Sequence, residues 1–102
     1  MTFDKPFTIQ IQDENTELWS DWLKLHAYVN KTNGGSGLNA GADQARTSLT
    51  FEVRYISVLE AIRYSTQRYR IVYRGHYFKV TDFDDFKEQH QTIKLVGEHY
   101  EP

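Results

Sequence analysis

The sequence predicts a mainly β protein: a small β-barrel or sandwich of five to six antiparallel strands, with one short helix and a long Gly-rich loop. Aromatic residues make up 15% of the chain, and aromatic and β-branched residues favour strands. Several short segments alternate apolar and polar residues, which is typical of half-buried strands. The length of 102 residues fits a single domain over 1–102.

The cysteine content and the hydropathy of the sequence limit the cellular locations that we expect for the protein. The chain has no cysteine, which excludes disulfides and thiolate metal sites and fits a cytosolic origin. No apolar run approaches the roughly 20 residues of a membrane helix. Residues 1–12 lack the basic start and apolar core of a secretory signal. We therefore expect neither a membrane contact nor secretion.

The first half of the chain contains three predicted strands. Phe7–Gln12 alternates strictly, and the polar turn Asp13–Glu17 follows it. Leu23–Asn30 places leucine, alanine and valine side chains on one face. Ser48–Tyr55 has the clearest alternation, with its aromatic and aliphatic side chains on one face and its polar ones on the other. Each pattern predicts a strand with one buried face.

A short helix is predicted between the third and fourth strands. Ser57 and Glu60 have the spacing of a capping box, in which the serine hydroxyl accepts from a backbone N–H and the glutamate reaches back to the cap. The predicted helix covers about residues 58–64, with Leu59 and Ile62 packing inward. Its β-branched residues make it dependent on tertiary contacts.

The remaining strands form a hairpin and a closing strand. Tyr69–Tyr73 and His76–Thr81 flank Arg74-Gly75, where a glycine that adopts positive φ predicts a tight turn. A polar connection is expected over residues 82–91. Thr92–Val96 is the predicted last strand.

The stretch between the second and third strands is the first candidate for a functional segment. Residues 31–43 hold four of the chain's six glycines and no aromatic residue, and long structureless loops in compact domains are usually functional or disordered. The stretch lacks the Gly-Lys-Ser/Thr and the following helix of a phosphate-binding loop. We expect a mobile loop over about residues 31–46. Its candidate residues are Lys31, Asn33, Gly34, Gly35, Gly37, Leu38, Asn39, Gly41, Asp43 and Arg46.

Charge is distributed unevenly along the chain. Residues 1–44 carry three basic and six acidic side chains, residues 45–81 seven and two, and residues 82–102 two and six. Such an acid–base–acid layout suits head-to-tail contacts between copies, because a basic surface of one copy can meet an acidic surface of another. The candidate interface residues are Arg63, Arg68, Arg70, Arg74, Asp82, Asp84 and Asp85.

No residue constellation for catalysis, a cofactor or a metal is visible in the sequence. The histidines His26, His76, His90 and His99 show no metal-ligand spacing and are expected to be solvated. Asp82–Phe86 lacks the glycine and closing glutamate of a calcium loop. An alternative to an assembly role is a small OB-like or SH3-like module that binds single-stranded nucleic acid through Arg63, Arg68, Arg70, Arg74 and nearby tyrosines. The net charge of −2 argues against that alternative.

Several segments, taken in order, resemble one protein family. They are an N-terminal strand, Trp19-Ser-Asp-Trp22 leading into the second strand, the small-residue loop, Leu49–Tyr55, the hairpin Tyr69–Val80 and the closing strand Ile93–Val96. This order and spacing resemble the head–tail joining proteins of long-tailed bacteriophages, also called head-closure, adaptor or stopper proteins. The resemblance covers nearly the whole chain.

The resemblance implies a small β-barrel that assembles as a ring, commonly a dodecamer, in the connector of the virion. Such a ring joins the portal or adaptor protein of the head to a tail-terminator or tail protein, and DNA passes through it without sequence readout. In some members a long loop lines or plugs the channel, and the matching position here is about Lys31–Arg46. These proteins are not enzymes and need no cofactor. A channel loop should lack clustered cations, since lysine and arginine would grip the DNA phosphates.

Overall fold

The computed structural model of the chain describes residues 2–31, 47–85 and 89–102. The described residues form six β-strands and one short helix. The strands are β1 (Lys5–Gln12), β2 (Trp19–Lys31), β3 (Ser48–Arg54), β4 (Tyr69–Tyr73), β5 (His76–Asp84) and β6 (Thr92–Tyr100), and the helix is α1 (Glu60–Arg63). The predicted mainly β fold is confirmed. The predicted loop residues 32–46 lie outside the described residues, so the loop stays a prediction.

The six strands form one closed antiparallel barrel in the order β1-β2-β3-β6-β5-β4. β1 closes it by pairing with β2 along one side and with β4 along the other, where Ile9 lies opposite Ile71 and Ile11 opposite Tyr69. A closed sheet satisfies the backbone hydrogen-bonding groups that edge strands leave unpaired. The barrel alternative of the predicted fold is therefore the correct one.

The interior of the barrel is filled by the apolar residues of the predicted alternating faces. Phe51 lies at its centre: its ring centroid is 5.3 Å from that of Phe7, 5.4 Å from that of Tyr73 and 5.8 Å from that of Phe78. Tilted and edge-on pairs of this kind contribute beyond their buried area. Aliphatic residues complete the core, namely Ile9, Val53, Leu59, Ile62, Ile71, Val80, Ile93 and Leu95.

Gly97 on β6 makes room for this aromatic centre. It follows Ile93 and Leu95 at the inward positions of β6, and it is buried. A Cβ atom at Gly97 would lie 2.9 Å from Cβ of Phe78 and 3.5 Å from Cε1 of Phe51. The contact to Phe78 involves an atom fixed to the backbone of β5, so no side-chain rotation relieves it.

The segment between β3 and β4 is more irregular than the capping box predicted. A 3-10 turn at Ser57–Leu59 leads into α1, and a second 3-10 turn follows at Thr66–Arg68. Leu59 and Ile62 are fully buried, as predicted. The capping box itself is wrong: no side chain caps the turn, and Ile56 occupies the cap position. Glu60 instead binds side chains of neighbouring residues.

The hairpin between β4 and β5 confirms the predicted tight turn. Arg74 and Gly75 both have positive φ, 53° and 79°. Two consecutive positive φ values characterise the turn type that matches the right-handed twist of a hairpin. Open space surrounds Gly75, so its conformation and not its packing calls for glycine.

Four strands, β1, β2, β5 and β6, are longer than predicted, and β-bulges interrupt the alternation in two of the pairings. The register shifts between Ile9 and Gln10 against β2, which pairs as far back as Trp19. It shifts again between Val80 and Asp82, so that β5 continues to Asp84 and pairs with β6. The acidic residues at 82 and 84 were predicted in a polar connection, and they are strand residues. β6 likewise extends to Tyr100, and Lys31 belongs to β2 rather than to the loop.

The barrel has two distinct ends. One end, which we call the connector end because three segments that connect successive strands lie there, carries the turn 13–18, the β3–β4 segment 55–68 and the described residues that join β5 to β6. The loop end carries the turn at residues 74–75, the C-terminus of β2 and the N-terminus of β3. No helix in the described part of the chain is long and apolar enough to cross a membrane.

We predict that Gly97→Ala destabilises the barrel by about 1–3 kcal/mol, the usual cost of overpacking a core. The added methyl group must push β5 and β6 apart at Phe78. Chemical denaturation measures the loss. Lys94→Ala is the matched control, because Lys94 is an exposed residue on the outward face of the same strand, β6. A Gly97→Ala variant as stable as the parent would contradict the close approach of β6 to Phe78.

Candidate functional site

The four arginines predicted as one interface lie on separate parts of the barrel. Arg63 and Arg68 belong to the β3–β4 segment at the connector end, Arg70 lies on the outer wall of β4, and Arg74 is in the turn at the loop end. Arg68 donates to the backbone carbonyl of Gln12 at 3.1 Å. The arginines therefore do not form the continuous basic strip that the nucleic-acid alternative needs.

Arg70 is held in a fixed position by aromatic rings and hydrogen bonds. Its guanidinium carbon lies 4.5 Å from the ring centroid of Trp19 and 4.3 Å from that of Tyr77. Its Nε donates to the side-chain carbonyl of Gln10 at 2.7 Å, and one terminal nitrogen donates to the hydroxyl of Tyr100 at 3.0 Å. These contacts use two of the five N–H groups of an arginine. The remaining N–H groups lie at the edge of the stack.

Beside this stack lies a groove of about 520 Å³, which we call the β4–β5 groove. Its volume falls within the range of pockets that bind a ligand or an anchoring side chain. Lys79 forms part of its rim, with its ammonium 5.1 Å from the ring centroid of Tyr100. The groove is lined by Trp19, Gln67, Tyr69, Arg70, Lys79, Val80, Thr81, Tyr100 and Pro102.

The predicted acidic residues of the interface have different environments. Asp82 and Asp84 are exposed on β5 near the connector end. Asp85 is buried, with a side chain only 1% exposed. It accepts from the backbone N–H of His90 at 3.0 Å, and its second oxygen lies 2.6 Å from Nδ1 of His90. The prediction of Asp85 as a surface residue is therefore wrong, and His90 is not simply solvated.

Asp85 and His90 belong to a cluster of charged residues that the sequence did not reveal. The nearest ligand atoms of Glu60, Asp85 and His90 lie within 4.8 Å of one another. Arg63 supplies a cation to the same cluster: its Nε donates to Glu60 at 2.7 Å, and its terminal nitrogen lies 3.7 Å from Asp85. We assign the cluster a structural role, because it joins α1 to the residues before β6.

Hydrogen bonds in this cluster shift two pKa values. The bond from Arg63, and then the bond from the hydroxyl of Tyr55 at 2.7 Å, lower the pKa of Glu60 from 4.5 to about 2. The same bond to Glu60 raises the pKa of Tyr55. The Tyr55 ring stacks on His90, with centroids 4.4 Å apart. The cluster thus fixes the connector end by charge and by stacking.

The other histidines show no metal-binding arrangement in the described part of the chain. His76 and His99 stand on adjacent strands at the loop end, with ring centroids 5.3 Å apart and an edge-on geometry. His99 also packs against Phe78 at 5.5 Å. His26 is exposed on β2. His76 and His26 fit the predicted solvated state, and His99 is half-buried.

Exposed apolar side chains concentrate at the connector end. Among the described residues, the large hydrophobic side chains that stand exposed are Leu18, Tyr28, Ile56, Val58 and Tyr64. All except Tyr28 lie in the turn 13–18 or in the β3–β4 segment. Tyr64 is 88% exposed and Leu18 69% exposed. Exposed apolar side chains rimmed by polar residues mark interaction sites when they are grouped.

These features define a class of protein. The chain is a small closed antiparallel β-barrel, with exposed apolar side chains at one end and a groove of aromatic and cationic residues on its wall. The model of the phage head completion protein family matches residues 7–98. The chain belongs to this family, a family of structural phage proteins, which confirms the resemblance to head–tail joining proteins. A comparison with curated proteins finds no match.

We predict that Glu60→Gln removes part of the acid sensitivity of folding. The pKa of Glu60 in the fold lies below its ordinary value, so ionised Glu60 contributes stability above about pH 4.5, and this contribution is lost as the pH falls towards about 2. The variant should be less stable at neutral pH, with a smaller loss of stability across that window. Denaturation at a series of pH values measures both effects.

The control for this prediction is Glu14→Gln, because Glu14 is 76% exposed and lies 3.9 Å from Arg68. Asp13, whose pKa is lowered by backbone hydrogen bonds from Thr16 and Asn15, remains in both variants and keeps its own share of the acid response. Equal pH profiles for Glu60→Gln and the parent would show that the cluster does not stabilise the fold.

Proposed function

We propose that the protein forms a homo-oligomeric ring that joins the portal side of the phage head to the tail. The supporting observation is the family match over residues 7–98 together with a barrel that those residues build almost completely. The proposed ring is a dodecamer in the virion. Its neighbours are the portal or adaptor protein on one side and a tail-terminator or tail protein on the other.

The closed barrel limits how such a ring is built. Each described strand pairs with a neighbour on both sides over at least part of its length, which leaves only short free edges for strand addition between copies. Contacts between copies therefore use mainly side chains on the walls and ends of the barrel. Exposed apolar residues at the connector end and charged residues on the walls supply such contacts. This supports assembly of preformed barrels rather than exchange of strands.

The proposal includes a channel for DNA at the centre of the ring. The candidate channel segment is the predicted loop at about residues 31–46, in which no lysine or arginine stands between Lys31 and Arg46. Without clustered cations the loop does not hold phosphates in place, which suits DNA that passes without sequence readout. In this proposal the loop lines or plugs the channel after packaging. We propose no catalytic activity, no cofactor, a virion location and synthesis in the bacterial host, where the gene belongs to a phage or prophage.

Imaging with the cognate portal-side connector tests the ring. We expect negative-stain electron microscopy of the mixed proteins to show an additional ring stacked on the connector, because assembly brings the barrels to high local concentration. The connector alone and the barrel alone are the controls. Absence of both a ring and connector binding at high protein concentration would overturn the proposed function.

Deletion of Asn33–Ala42 tests the separation of barrel and loop. Loop closure depends only weakly on length, and the last β2–β3 pair, Lys31 with Leu49, lies outside the deletion. We therefore expect the monomer to unfold cooperatively with nearly unchanged stability, while closure of the channel is lost. Thermal unfolding and DNA release from assembled heads measure the two effects. Loss of cooperative unfolding would contradict the assignment of these residues to a loop.

A further inference from the structure

The β4–β5 groove has the composition of an interface hot spot. Trp19, Tyr100 and Arg70 surround it, and tryptophan, tyrosine and arginine dominate the binding energy of protein interfaces. Arg70 is already held between two rings and bonded to Gln10 and Tyr100. A partner that binds there does not have to order this side chain, and such preorganisation lowers the entropic cost of binding.

The charge of the groove indicates the chemistry of its occupant. Arg70 and Lys79 carry the charged side chains among those that line it. Carboxylates are the natural partners of the guanidinium N–H groups at the edge of the stack. The two cations are paired neighbours on β4 and β5. Trp19, Val80 and Tyr100 form the apolar wall of the groove, against which an aliphatic side chain can pack. The groove thus fits a segment that presents carboxylates beside one exposed apolar residue.

The turn at residues 13–18 of the same chain is a segment of this kind. It carries Asp13, Glu14 and Glu17, all exposed, and ends at Leu18, which is 69% exposed. The turn is held in shape by its own bonds: Asp13 accepts from the backbone N–H groups of Asn15 and Thr16, at 2.7 and 3.0 Å. Groove and turn are therefore both ordered before they meet.

We propose that the β4–β5 groove of one copy binds the turn 13–18 of the neighbouring copy, with Leu18 on the apolar wall and Glu17 beside Arg70 and Lys79. The contact rests on the proposed ring, and it specifies the surfaces by which copies join. It is heterologous, because the groove of one copy meets the turn of the next, and such contacts generate rings when the rotation closes.

Charge exchange tests the contact in the full-length protein. Lys79→Glu and Glu17→Lys should each weaken self-association by about tenfold, and the double variant should recover most of it, because the charges then pair in reverse across the interface. Sedimentation velocity at low and high salt measures the association. The matched control is Lys24→Glu, an exposed lysine on β2 outside the groove. Equal effects of Lys24→Glu and Lys79→Glu would overturn the proposal.

Cross-linking gives an independent readout that does not depend on charge. The natural chain has no cysteine, so Leu18→Cys and Gln67→Cys each place one thiol on the proposed turn or groove. Mixing the two variants with a short bismaleimide should give a mixed dimer in preference to either homodimer. Lys24→Cys, mixed with Leu18→Cys, is the control and should give little product. Equal yields in the two mixtures would overturn the proposal.

Failure of this contact is distinguishable from failure of the ring. If rings form on the connector while the charge and cross-linking variants behave like their controls, the ring stands and the groove assignment falls. If the groove variants self-associate normally but lose connector binding, the occupant is the connector protein, and the assignment to a second copy is overturned. If the turn and groove cross-link without any ring, the contact stands and the proposed function falls.

Discussion

The structure depends on the pairing of β1 with β4. These strands are far apart in sequence, and their four paired positions turn an open six-stranded sheet into a barrel. The same pairing places Ile9 and Ile71, both fully buried, opposite each other inside the barrel. Closure creates the enclosed core and removes the sheet edges that would otherwise pair with another chain. The described strands therefore offer side chains, rather than a long unpaired edge, as surfaces for assembly.

Because the barrel is closed, the size of each core side chain determines whether it fits in the interior. Six strands enclose a narrow interior, and Phe51 fills its centre in contact with three other aromatic rings. Gly97 is the compensating small residue on β6, between the strands that carry Phe51 and Phe78. A wider barrel would tolerate a side chain there, whereas this one places Cβ of Phe78 at 2.9 Å from the position a new Cβ would take. The residue at position 97 is therefore set by the aromatic side chains of the two neighbouring strands.

The alternation of apolar and polar residues predicted the strands. The prediction fails where the structure departs from that alternation. At the bulge after Val80, the register of β5 against β6 shifts, so Asp82 and Asp84 read as a polar connection although they belong to the strand. The sequence also did not reveal the cluster of charged residues. Glu60 and Asp85 are 25 positions apart, so no local spacing shows that Arg63 lies between them. The capping box failed for a different reason: Tyr55 and Arg63 bind the two carboxylate oxygens of Glu60.

The arginines of residues 63–74 have different roles in the closed barrel, although they are close together in sequence. Arg63 is drawn into the cluster with Glu60, and Arg68 bonds to the carbonyl of Gln12 and anchors the β3–β4 segment to the end of β1. Arg70, two positions later, points outward on β4 and stacks between Trp19 and Tyr77. The 3-10 turn that contains Arg68 ends where β4 begins, so the arginines that stabilise the end of the barrel and the one that lines the groove are close neighbours in sequence. The groove and the acidic turn adjoin on this barrel, because Trp19 of the groove directly follows Leu18 of the turn. A closed barrel that holds both surfaces in fixed positions can make the proposed contact without refolding.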